Sequence, residues 1–359
     1  MGRLFRLLLP PLLVSAAWGQ NAPQLQPRAT TPSPAAPAAT GREIALDVRV
    51  TDKSGAPIRG LQQQDFAVLD DKRPQKILSF HAVDNPAAST TDPVEIVLVV
   101  DAVNTSFSAI TYARTELKKF LLHNGGKLAQ PVSLVVFTDT ATRMQGGFSR
   151  DGNALAALYD QYETGLRTMN RSQGFYGAAD RFALSLKTLT QLVEYEGQQP
   201  GRKLMIWFSP GWPLLSGPGI QLNSKDSDRL FNGAVALSNR LRQARVTLYS
   251  VDPLGLADAG GIRISYYKQF LKGATSASRL EAGDLGLQVL AVQSGGLVLN
   301  SDNDIASAIA HCAADADSFY VLSFEAAHAD RANEYHAIAI RVDKPGVTAR
   351  TRTGYYAQP

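Results

Sequence analysis

The chain has 359 residues, 45% of them hydrophobic and 19% charged, with 29 glycines and 19 prolines; this balance excludes a wholly disordered or collagen-like chain, and at about 150 residues per domain the length predicts two domains with a sizeable core. The formal net charge is +4, falling by two once Arg3 and Arg6 leave with the leader described next, and so small an excess without a basic run does not point to nucleic acid or anionic lipid. The single cysteine, Cys312, excludes an intramolecular disulfide and a zinc knuckle of paired CxxC type, which leaves chemistry to oxygen and nitrogen groups.

Arg3 and Arg6 precede an apolar stretch at 7–18, and Ala17-Trp18-Gly19 places small residues at the two positions a signal peptidase reads. This predicts a signal peptide over 1–19, cleaved before Gln20. The competing reading, a membrane anchor, needs about 20 apolar residues, and here Pro10-Pro11 interrupts a shorter run. No cysteine stands at the cleavage region to carry a lipid, and no later stretch is long and uncharged enough to span a bilayer. The mature chain is therefore expected to be exported, with no membrane span, into the periplasm, onto the cell surface or into the medium. Residues 20–41 are dominated by Pro, Ala, Gln and Thr and read as a flexible linker, since they lack the apolar groups that offset ordering entropy.

From position 43 the pattern alternates, with Ile44, Leu46, Val48 and Val50 on one face and Ala45, Asp47, Arg49 and Thr51 on the other, a half-buried strand. Asp52-Lys53-Ser54-Gly55 supplies a turn, 65–70 a second strand, Asp71-Lys72-Arg73-Pro74 another turn and 76–83 a third strand. Residues 42–83 are thus predicted to form a small β module, followed by a linker over 84–93.

The run 94–100 is nearly continuously apolar and ends at Asp101, as expected of a strand buried on both faces of a parallel sheet. A helix with Ile110, Ala113, Leu117, Phe120 and Leu121 on one side follows, then a strand at 132–138 and a short hairpin strand near 143–148. Helical spacing recurs at Phe182, Leu186, Leu189 and Val193 and at Leu230, Ala234, Leu237 and Leu241, with strands at 203–209 and 246–251. Strands alternating with amphipathic helices predict a doubly wound α/β domain with a mostly parallel central sheet, over 94–318. Two further helices are expected at 285–292 and 305–314, then a C-terminal β extension, 319–359, with strands at 319–324, 335–342 and 347–350. No internal repeat is present.

These residues resemble a family, the exported von Willebrand factor type A-related proteins abundant in Acidobacteria. The resemblance rests on 48–52 with Gly55, Gly60-Leu61, Asp65-Phe66, Asp101-Ala102-Val103-Asn104-Thr105, Arg202-Lys203, Ser209-Pro210-Gly211-Trp212-Pro213, Val251-Asp252-Pro253, Ser294-Gly295-Gly296 and Gly354-Tyr355-Tyr356. It covers nearly all of the mature chain, through short motifs whose order and spacing carry the match. It implies a type A domain of Rossmann-like topology between a β module and a C-terminal extension, and it carries no established activity.

Type A domains hold a Mg²⁺ at the C-terminal edge of the sheet through a DxSxS motif, a later threonine and a later aspartate, because a hard dication demands near-octahedral oxygen ligands. Here Asp101 matches the first aspartate and Thr105 the second serine, while Val103 stands where the first serine belongs and Pro210 precedes Gly211 where an aspartate belongs. Gly174-Phe175-Tyr176-Gly177 occupies the region of the later threonine. The resemblance therefore implies a degenerate metal site, Asp101 and Thr105, with at most weak Mg²⁺ binding and no other cofactor. The alternative is that Asp101 accepts backbone N–H groups in the turn leading to the next helix, with Ser106 or Ser108 as its N-cap. Asp139 and Asp252 also end predicted strands, on the rim where open α/β sheets carry their ligands, or simply in turns.

Trp212 lies in a loop bounded by Pro and Gly and either projects from the rim as an aromatic anchor or packs over the neighbouring loop. Trp207, within a strand, is expected in the core, and Tyr266 and Tyr267 either line the same rim or, the favoured reading, shield the following helix. His311-Cys312 sits in an apolar helical stretch, where a cysteine is an inert buried residue before it is a nucleophile. His81, His123, His311, His328 and His336 make no zinc pattern, and GxSxG, P-loop and GxGxxG motifs are absent. The reading is a protein-binding or adhesion module, not an enzyme, that presents Asp101, Asn104, Thr105, Ser209, Trp212 and Asp252 to a protein or cell-surface ligand. The alternatives are an envelope hydrolase or other enzyme with an unrecognised site on that rim, and a structural envelope scaffold.

Overall fold

A computed structural model describes residues 42–84, 93–163, 174–213, 224–255, 263–301 and 303–359. The expected leader 1–19, the linker 20–41 and most of the linker 84–93 lie outside the described residues.

The central sheet has seven strands, β5 (Val94–Asp101), β6 (Lys127–Phe137), β7 (Thr142–Met144), β8 (Ser149–Asp151), β9 (Arg202–Phe208), β10 (Val246–Val251) and β11 (Val298–Leu299). Their order is β11-β10-β9-β5-β6-β7, with β8 also on β6. β5, β6, β9, β10 and β11 are parallel, whereas β7 and β8 run antiparallel to β6. The chain leaves β5 toward β6 on one side and returns to β9 on the other, so strand order reverses at β5, as in doubly wound sheets.

Side chains of β5 alternate between two apolar layers, which is why the run from Ile96 to Val100 is apolar. Ile96, Leu98 and Val100 meet Leu117 of α1 (Phe107–Leu122), Leu155 of α2 (Gly152–Glu163) and Ile309 of α7 (Ile305–Ala313). Val97 and Val99 meet Leu189 and Val193 of α3 (Gly174–Glu196), Leu237 and Leu241 of α4 (Ser224–Gln243) and Leu290 of α6 (Leu287–Gln293). Each buried Val, Leu or Ile contributes roughly 1.5–3 kcal/mol relative to exposure. Among the described residues the remaining α-helix is the single turn α5 (Arg263–Tyr266).

The strands outside this sheet are β1 (Glu43–Thr51), β2 (Phe66–Asp70), β3 (Arg73–Gln75), β4 (Ile77–Asp84), β12 (Ser318–Glu325), β13 (Glu334–Val342), β14 (Thr348–Arg350) and β15 (Gly354–Ala357). They form two antiparallel sheets, β14-β1-β12-β4 and β15-β13-β2-β3. Strands from the N-terminal module and the C-terminal extension, read separately in the sequence, share both sheets: they alternate in β14-β1-β12-β4 and meet at the β13-β2 pairing in β15-β13-β2-β3. Leu46 lies opposite Leu322 and Val48 opposite Tyr320, and one core gathers Leu46, Val48, Phe66 and Val68 with Tyr320, Phe324, Ile338 and Tyr355.

Two local expectations are corrected. Arg73 and Pro74, assigned to a turn, already belong to β3, because the turn needs only Asp71 and Lys72, both at positive φ (46° and 69°), the geometry of a two-residue hairpin. The strand β15 was not expected, since four residues beginning with glycine carry too little pattern.

Candidate functional site

The rim at the C-terminal ends of β5, β9 and β10 is built around Asp101. The Val99 to Trp207 pairing between β5 and β9 brings the indole under the Asp101 carboxylate. Oδ1 accepts from the backbone N–H of Val103 at 3.0 Å and of Asn104 at 2.9 Å. Oδ2 accepts from Asn104 Nδ2 at 2.8 Å and from Trp207 Nε1 at 3.0 Å. Asp101 is fully buried, and burial raises its carboxyl above the ordinary range against the opposing hydrogen bonds from Asn104 and Trp207. Asn104 Nδ2 also reaches Ser185 Oγ on α3 at 2.8 Å, tying the loop to the neighbouring helix. Ser106 is the N-cap of α1, its hydroxyl accepting from Ala109 N.

This donor set does not fit a Mg²⁺ ion. A hard cation requires lone pairs, and both oxygens of Asp101 already face two N–H donors each. The Val103 side chain is buried apolar surface, and Pro210 offers no side-chain oxygen. Asn104 Oδ1 and Thr105 Oγ1 are buried without a hydrogen-bond partner, yet neutral oxygens alone do not replace the missing carboxylate.

The other expected site residues also turn inward. Ser209 is fully buried and its Oγ accepts from Gly211 N at 3.2 Å. Asp252 is buried, its Oδ1 accepting from Leu254 N at 2.9 Å while its own N–H donates to Leu299. Asp139 is exposed in the loop after β6. Trp212 corrects the expectation of a projecting anchor: it is 3% exposed and packs edge-on against Trp207 with ring centroids 5.4 Å apart. The cause is Gly211 at φ 107°, where an added Cβ would stand 2.3 Å from Gln288 Nε2. That turn folds the chain back over β9, and Gln288 closes it by donating to the Pro210 carbonyl.

What the sequence reading missed on this rim is Phe107. It is the first residue of α1 and 68% exposed. Its neighbours Ala109, Ile110 and Ala113 face the core, so the helical period that announces the core also places Phe107 off it, the signal that could have found it.

Elsewhere, Asp70, Asp71 and His336 bring ligand-type atoms within 4.8 Å of one another. His336 Nδ1 lies 3.0 Å from Asp70 Oδ1, and Asp70 Oδ2 accepts from Tyr355 OH at 2.7 Å. A metal-bound histidine donates its second N–H to an acceptor, whereas His336 Nε2 is buried with no partner, so the cluster reads as a hydrogen-bonded brace of β2 on β13 and β15. Cys312 is buried, and burial pushes its thiol far up, which removes it as a nucleophile. Tyr266 packs edge-on against Phe270.

No family model matches the chain, and no curated protein sequence matches it. Among solved structures it is similar to the human COPII-coat protein Sec24c, at 10% identity and TM-score 0.35 over 78% of this chain and 46% of that one. It is also similar to the pilus adhesin SpaC from Lactobacillus rhamnosus GG in the open conformation, at 11% and 0.38 over 83% and 48%. The SpRpn10 VWA domain is a third, at 12% and 0.29 over 60% and 94%. The chain spans about half the length of the first two. At these identities and scores the likeness adds nothing to what the sheet order shows. Among the described residues, no helix is long and apolar enough to cross a membrane.

Proposed function

We propose that this chain is an exported protein-binding module that presents the C-terminal edge of its α/β sheet to a protein or cell-surface ligand, through an aromatic contact instead of a metal bridge. The observation that supports it is Phe107, 68% exposed at the start of α1, beside the point where strand order reverses. The ring stands clear of the core at the start of a helix, and an aromatic buried at an interface centre contributes about 2 kcal/mol or more. The experiment is photo-crosslinking from position 107 on intact cells, followed by affinity measurement of Phe107→Ala for the captured partner. At least about a tenfold weaker Kd with unchanged melting temperature and no sensitivity to EDTA is expected. An unchanged Kd, or no specific crosslink, overturns the reading.

A second reading, a structural scaffold, is favoured by the burial of Asp101, Thr105, Ser209, Trp212 and Asp252. It predicts that envelope partners attach through the β sheets and that Phe107→Ala changes no interaction.

A further inference from the structure

Among the described residues, the strands that end the three sheets are short, with one exception. β11 has two residues, β3, β7 and β14 have three each and β15 has four, whereas β4, at the end of β14-β1-β12-β4, has eight. A long outer strand presents a row of unpaired N–H and C=O groups to any further strand, and shortness, proline and charge are the usual guards against this. The run Ile77-Leu78-Ser79-Phe80-His81-Ala82-Val83-Asp84 has no proline and no Lys, Arg or Glu, and its one aspartate is its last residue. A β-bulge at Leu78 is the guard that remains.

The strand is firmly held from its inner side. It pairs with β12 from Asp84 opposite Ser318 to Ile77 opposite Phe324, and the Ser79 and Ser323 hydroxyls meet at 2.5 Å. The Phe80 ring lies 5.7 Å from that of Phe66 and 5.8 Å from that of Tyr320. On the outer side, among the described residues, no strand pairs with it and no backbone hydrogen bond reaches it. Leu78 is 49% exposed, and Ser79, His81 and Ala82 are exposed with it.

We propose that β4 pairs with β4 of a second copy of this chain, antiparallel about a two-fold axis at Phe80, joining two four-stranded sheets into one. In an antiparallel pair a residue faces one of its own hydrogen-bonding class, and the classes alternate along a strand; an axis through a residue satisfies this. Ser79 then faces His81, Leu78 faces Ala82, and Lys76, exposed just before the strand, meets Asp84. The charges are therefore complementary at both ends of the pairing. The bulge displaces this by one position, within reach of a lysine stem. Asp84 can take the lysine, because its contacts with Ser318 Oγ at 2.8 Å and Arg59 Nε at 3.4 Å both use Oδ1 and its side chain is 49% exposed. At the far end of the sheet β14 has only three residues, so the assembly closes at two copies. β4 is not part of the central sheet, and the proposal stands or falls independently of Phe107.

The test is sedimentation velocity of the full chain over roughly 1–100 µM, since a strand-edge interface belongs to the small, transient class. A reversible monomer–dimer equilibrium is expected. Lys76→Glu sets like charges together at both ends and should weaken the dimer about tenfold or more, with an unchanged circular dichroism spectrum. Asp84→Lys should do the same, and an equimolar mixture of the two variants should dimerise as the wild type does, because opposite charges then meet again at both ends. Should Asp84→Lys fail to fold for want of its Ser318 and Arg59 contacts, Leu78→Lys puts a charge on the edge itself and should also weaken the dimer. A chain that stays monomeric at about 100 µM, a dimer indifferent to Lys76→Glu or to Leu78→Lys, or two folded charge variants that do not dimerise when mixed overturns the proposal.

Discussion

The indole Nε1 of Trp207 donates to Oδ2 of Asp101 at 3.0 Å, across the β9 to β5 pairing. A carboxylate that ends the central strand is thereby closed from below by an aromatic N–H and from above by the loop backbone. Trp207→Phe removes that donor and leaves the buried acid short of one partner. A loss of about 2–3 kcal/mol is expected by urea denaturation. The double variant Trp207→Phe/Asp101→Asn should lose less than the sum of the two single variants, because the residues share one interaction.

Millimolar Mg²⁺ should leave the melting temperature of the chain unchanged. A site saturated a hundredfold above its Kd would add about 2.7 kcal/mol, an effect readily seen in a melting curve. A clear Mg²⁺ shift that disappears in Asp101→Ala would show that the N–H donors around Asp101 yield to a cation.

Trp212→Ala should behave as a core truncation, costing roughly 3–5 kcal/mol, since the ring is 3% exposed against Trp207. Gly211→Ala should also destabilise, as its added methyl meets Gln288 at a positive φ. Trp212→Ala with wild-type stability would place the ring outside the core.

Glu196, at the C-terminal end of α3, is fully buried with both carboxylate oxygens unpartnered. Burial first, and the charge of Glu95 next, push its pKa from the ordinary 4.5 up to about 7, against the pull of Lys203. The folded chain therefore keeps this proton where the unfolded chain has lost it, and stability falls as pH rises from about 4.5 to about 7. The penalty above that window is on the order of 3 kcal/mol. Urea denaturation at pH 5 and pH 8 should show a smaller fall in Glu196→Gln than in the wild type, and equal falls would contradict the assignment.

The sequence alone determines the layers of this protein wherever neighbours in the chain settle the matter. The apolar run of β5 announces burial on both faces, the spacing of Leu189, Val193, Leu237 and Leu241 announces helices on one side of the sheet, and Asp101 is recognisable as a strand end. The partnership of Val48 with Tyr320 is not visible that way, because alternation in β1 reports one buried face and not which strand, some 270 positions later, will lie beside it. The direction of Trp212 is likewise a tertiary result: a loop tryptophan between Gly and Pro has no periodicity to orient it, and Gly211 against Gln288 decides that it points inward. That β4 ends its sheet has the same origin. Periodicity is written by residues a few positions apart, whereas a site is made where distant segments are held together by the free energy of the whole fold.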